Sequence, residues 1–125
     1  TPRAAAVGAG VMVPATLALV ALHGVLAPGL VAVVVAIAAF EFAIVSAIPL
    51  GTDLVAGAPA RGVAVMFTAG TVGRALATVT ATRLYERHGM AWPSLLAAGF
   101  GAATVVAMLV LDARRRAGRS AVLVR

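Results

Sequence analysis

Four stretches of predominantly apolar residues run through the chain, at about 4–26, 29–51, 62–82 and 91–111. Coiled as a helix, each is long enough to cross a hydrocarbon core roughly 30 Å thick. A segment in lipid must satisfy its own backbone polar groups, which leaves helices or a closed barrel. Unbroken apolar runs of this length fit helices. Composition agrees, because 62% of the 125 residues are hydrophobic and 11% charged, whereas a soluble domain has about half and about a quarter. The sequence therefore predicts an all-α integral membrane bundle of four transmembrane helices over residues 1–112, followed by a basic tail at 113–125.

Glycine, proline and charge mark the breaks between the runs. HGVLAPG (His23 to Gly29) reads as a turn built on Pro28, GTDLVAGAPARG (Gly51 to Gly62) as a loop, and RLYERHG (Arg83 to Gly89) as the most polar loop. DARRRAGRS reads as the end of the last helix in water. Four spans put both termini on one side, with Arg3, Arg61, Arg114, Arg115, Arg116, Arg119 and Arg125 there and Arg83 and Arg87 opposite. Seven against two is a positive-inside bias that predicts cytoplasmic termini. Tyr85 and Trp92 flank the outer loop, where interfacial aromatics belong. All ten basic residues are arginine, and alanine, valine, glycine and leucine dominate. That usage points to a GC-rich bacterial genome, hence to the bacterial inner membrane.

The net charge of +6 sits largely beyond residue 113, with no basic face on a polar helix. It reads as a topology signal and a contact for anionic lipid, with no nucleic acid as partner. Without cysteine, disulfides and thiolate metal sites are excluded. No phosphate-binding glycine loop, Ser/His/Asp set or His-rich cluster appears, so neither an enzyme nor a cofactor or metal is expected. The chain opens on Thr1, not Met, and no signal peptide precedes the first run, which predicts a piece of a longer protein.

Two charges lie inside the apolar runs: Glu41 in the second and Arg74 in the third. A charge at bilayer depth costs several kcal/mol on most scales and is kept where it lines a pathway or pairs with another charge. Helices two and three run antiparallel across a loop centred near residue 57. Glu41 is sixteen residues before that centre and Arg74 seventeen after it. At about 1.5 Å per residue the two are nearly level. Level charges predict either a proton or cation site at Glu41 with Arg74 tuning it or binding an anion, or a static pair that fixes packing. A further alternative sends Arg74 to backbone carbonyls and Glu41 to a hydroxyl such as Ser46. If the two touch, they couple by more than about 0.5 kcal/mol.

Other features are secondary. The first and fourth helices carry no mid-span charge and are expected to tolerate lipid. The third is the most polar, with Thr68, Thr71, Thr78, Thr80 and Thr82, and it bears a small-residue row, Ala69, Gly73, Ala77 and Ala81, that would let a helix approach closely. Pro14 and Pro49 are candidate bends. His23 and His88 read as solvated loop residues. Asp53 and Arg61 flank the middle loop, where either an ion pair would hold a gate or both residues are simply solvated.

FEFAIVSAIPLGTDLVAGAPARG followed by TAGTVGRALATVTATRLYERHGMAWPSLLAA resembles the last helices of major facilitator superfamily transporters, most of all the bacterial branch of arabinose and drug exporters. Pro49 and Asp53, Arg61–Gly62, Gly73–Arg74, Gly89 and Trp92 carry the likeness, which covers about residues 29–112. It implies the ninth to twelfth helices of a twelve-helix transporter, the second helix here lining the cavity and the third flanking it. It further implies alternating access, with export of a small-molecule substrate driven by protons. The N-terminal half would be the missing partner, since four helices cannot enclose that family's cavity. Alternatives are a dimeric four-helix exporter, a class that keeps its glutamate in the first helix and lacks a strong charge bias, and a non-transporting membrane subunit.

Overall fold

A computed structural model describes residues 1–22 and 24–123, with side chains as far as Ala117. His23 and Arg125 lie outside the described residues, and Arg119 outside the described side chains. The chain is all-helical: α1 (Pro2–Leu22), α2 (Leu26–Thr52), α3 (Pro59–His88) and α4 (Ala91–Leu123). All four are long and apolar enough to cross a membrane. This is a multi-pass helical membrane protein. The helices run through Pro14 and Pro49 without a break.

The boundaries differ from those expected, and each difference has a local cause. Helix one stops at Leu22, not residue 26, where the Val25 amide donates to the Leu22 carbonyl at 2.9 Å. Helix two begins at Leu26, so Pro28 occupies its first turn, where a missing N–H costs nothing. Pro59 opens α3 in the same way. RLYERHG, expected as a loop, is the last turns of α3. That helix ends where Gly89 takes a φ of 70°, its amide donating to Tyr85 at 2.8 Å. Arg87 and His88 close the final turn, where positive charge suits the helix dipole. The 113–125 segment continues α4 as far as Leu123, because arginine and alanine are good helix formers and Gly118 alone is too weak a break. His88 is exposed as expected, at the end of α3, with its ring 5.7 Å from that of Trp92.

Packing centres on α1, which sits between α2 and α4. It buries Ala5, Ala6, Gly8, Ala9, Ala15 and Leu19 among others. α1 is the most enclosed of the four, yet it keeps Val7, Val11 and Leu17 on an exposed apolar face that suits lipid, whereas α3 buries only Gly62 among the described residues. Lipid tails are as apolar as leucine, so helices associate here by close van der Waals fit between small residues. A Cβ on Gly8 would lie 2.9 Å from the Ala39 carbonyl oxygen and 2.9 Å from the Ala43 nitrogen. One on Gly101 would lie 2.9 Å from Met12 and Val13 side-chain carbons, and one on Gly62 would collide with the Gly51 carbonyl. These three glycines set how near α2, α4 and α3 come to their neighbours.

At the end bearing both described termini, Arg3 Nε meets Asp112 Oδ2 at 3.1 Å and Arg116 shares that oxygen. Arg115 Nη1 lies 3.3 Å from Asp53 Oδ2. These pairs tie α1, α2 and α4 at one level. Each is partly exposed and contributes about 0–1 kcal/mol.

Gly8→Ala and Gly62→Ala should each destabilise the bundle by about 1–3 kcal/mol, because backbone must move. Gly70→Ala, where a Cβ meets nothing within 4 Å, should stabilise it by about 0.5–1 kcal/mol through helix propensity. Reversible unfolding in mixed micelles measures all three, and equal effects at Gly8 and Gly70 would contradict this packing.

Candidate functional site

The mid-span charges come from two helices that meet closely only near one end. Gly51 and Gly62 bring α2 and α3 together beside the connecting loop. Further along, the helices part and leave a groove of about 290 Å³, lined by Glu41 and Ile44 of α2 and by Met66, Phe67, Thr71 and Arg74 of α3. Glu41 and Arg74 thus line one cavity, and both are exposed at its surface.

They do not pair. Among the described residues no carboxylate lies within 4.0 Å of Arg74. Its guanidinium carbon instead sits 5.7 Å from the centroid of the Phe40 ring, where the ring quadrupole attracts the cation by about 0.5–2 kcal/mol. Phe40 is seventeen residues before the loop centre, as Arg74 is seventeen after it. The depth arithmetic therefore matches Arg74 to Phe40 as well as to Glu41. Rotation about α2 decides between them, and one residue along a helix turns the side chain by about 100°.

The threonines of α3 mostly serve their own helix. Thr71 Oγ1 donates to the Phe67 carbonyl at 2.9 Å, Thr78 to Arg74 at 2.8 Å and Thr80 to Leu76 at 3.0 Å. Hydroxyls bonded back to the preceding turn can lie against an apolar environment. The polarity read from the sequence of α3 is thus largely satisfied within the helix, with Arg74 as its mid-span charge.

On the far side of Arg74 a second cavity of about 430 Å³ opens among all four helices. Met12, Phe40, Leu96 and Phe100 supply its apolar wall, and Gly73, Ala77 and Ala81 its floor. The small-residue row therefore lines a space here instead of a tight contact, and a Cβ on Gly73 would meet nothing within 4 Å. Sequence reasoning missed Phe40 and Phe100. For Phe40 the depth arithmetic was a usable signal; for Phe100, on α4, no comparable signal exists.

The expected Asp53–Arg61 gate pair does not form. Asp53 reaches Arg115 on α4, while Arg61, on the first turn of α3, makes no ion pair among the described residues. The tie runs between the loop and α4, not across the loop itself.

Double-mutant cycles on unfolding free energy should give a Phe40–Arg74 coupling of about 0.5–1 kcal/mol and a smaller Glu41–Arg74 coupling. The larger value at Glu41–Arg74 would mean the guanidinium rests on the carboxylate. The chain matches no protein-family model, no curated protein and no solved structure.

Proposed function

We propose that the chain is the C-terminal part of a secondary active transporter of the major facilitator type, moving a small molecule by alternating access with proton coupling at Glu41. One observation carries the reading: Glu41 and Arg74 line a single mid-span groove on a face that none of the other helices covers. Charges are not held against lipid tails at this depth, so the face needs water and a second protein wall. In the transporters that the sequence resembles, the other half of the protein is that wall. Binding sites near mid-membrane at the junction of two halves are also what alternating access requires.

Within this reading Glu41 takes up and releases the proton, and Arg74, held apart from it on Phe40, is left to bind substrate. On this reading the bundle lies in a bacterial inner membrane with both termini in the cytoplasm, an orientation that the positive-inside bias of the arginines supports. The tie of Asp53 to Arg115 belongs to the cytoplasmic side and holds the middle loop to α4. Export of the substrate follows from the resemblance.

Reconstituted in proteoliposomes with the rest of its coding sequence, the protein carrying Glu41→Gln should lose pH-driven transport while inserting normally. Unchanged transport would make Glu41 a structural residue. Coding sequence upstream of Thr1 should supply eight further hydrophobic spans, and a start codon at or near Thr1 would contradict the reading.

A further inference from the structure

The four-helix chamber beside Arg74 has a chemistry different from that of the groove holding Glu41. Its lining carries one positive charge, on Arg74, and no negative one. Thr78 also lines it, but its hydroxyl proton is committed to the Arg74 carbonyl. Arg74 lines this space as well as the Glu41 groove, so its guanidinium is the one charged group at the edge of the chamber. No carboxylate of the described residues pairs with that guanidinium, which lies 5.7 Å from the centroid of the Phe40 ring. Ring faces attract a cation but satisfy none of its N–H groups directionally.

The remaining wall is apolar and partly aromatic. Phe40 and Phe100 contribute rings from α2 and α4, Met12 and Leu96 contribute flexible aliphatic surface, and the Gly73–Ala77–Ala81 floor is flat. The space is a cleft open to the surface, with Phe100 exposed at its rim. Its volume of about 430 Å³ is of the size that small organic ligands occupy, recognised by mostly apolar walls and a few placed polar groups. An apolar chamber with a single fixed cation at its edge selects for an apolar body with a single anionic group. A carboxylate matches the guanidinium fork bidentately.

We infer that this chamber binds a small aromatic or hydrophobic monocarboxylate, its ring between Phe40 and Phe100 and its carboxylate on Arg74. The inference rests on the transport reading in taking Arg74 as the substrate contact and names the substrate class. It assigns the two mid-span charges to different loads: Arg74 holds the organic anion and Glu41, which does not line the chamber, holds the proton. Gly73 becomes a specificity position, because its missing side chain leaves the floor open at the level of the guanidinium.

The test is equilibrium dialysis of the protein in phosphatidylcholine nanodiscs at neutral pH, with empty nanodiscs subtracted. The probes are 1-naphthoate, its neutral isostere 1-naphthamide, and the cation 1-naphthylmethylammonium. Naphthoate should bind roughly tenfold or more tightly than the amide, as charge-assisted hydrogen bonds predict, and the cation should bind most weakly. Arg74→Gln should bring naphthoate down to the level of the amide while leaving the amide unchanged. Gly73→Leu, whose Cβ would meet nothing within 4 Å, should weaken both. Equal affinity for acid and amide in the unaltered protein, or an acid preference that survives Arg74→Gln, or unaltered binding in Gly73→Leu, would overturn the inference. Binding is read without a gradient, so these outcomes stand apart from the transport reading, which fails instead if Glu41→Gln leaves pH-driven transport intact.

Discussion

The structure depends on how closely α1 can be approached. In lipid, apolar surface gains nothing by leaving one hydrocarbon for another, so a helix pair holds only where backbones come near enough for dense contact. Gly8 gives that approach to α2 at Ala39 and Ala43, and Gly101 brings α4 onto Met12 and Val13. With α1 between them, α2 and α4 form a rigid wall. The third helix is held to that wall differently, at Gly51 and Gly62 near one end and by its short turn into α4 at the other. Between those two fixings it stands away, and the space it leaves is where both charges lie.

That arrangement explains why a charge can be kept at mid-span at all. Had α3 packed along its small-residue row, Arg74 would be forced into lipid or onto Glu41. Instead Gly73, Ala77 and Ala81 floor a chamber on one side of Arg74, and Gly70 and Thr71 line a groove on the other. Arg74 stands at the junction of the two, held over Phe40. The separation of Arg74 from Glu41 is therefore a consequence of packing elsewhere in the bundle. It leaves the two charges unpaired with each other, each at the edge of an open space.

Much of the fold was legible in the sequence because lipid allows so few solutions. Span number and type, and the placing of both ends together, follow from apolar runs and an even count. Boundaries were harder to read. Hydropathy reports where lipid ends, whereas Arg83–His88 and the segment after Asp112 continue as helix beyond it. Pro28 and Pro59 resemble breaks in a string of letters, yet each sits in a first turn that has no need of its N–H. The site was half legible. Depth follows from counting residues, so Glu41 and Arg74 could be placed level. Rotation depends on Gly8 and Gly62, whose role is visible only once a partner backbone is beside them, and rotation is what gave Arg74 to Phe40.

The central claim is that the α2–α3 groove holds water while the outer face of α3 meets lipid. The chain contains no cysteine, so single introduced thiols report on this without background. In intact membranes a water-soluble, membrane-impermeant thiosulfonate should modify Thr71→Cys, in the groove, much faster than Val79→Cys on the exposed apolar surface of α3. Equal protection of both thiols would mean that the charges lie in a dry interface, and that Glu41 and Arg74 are packing residues.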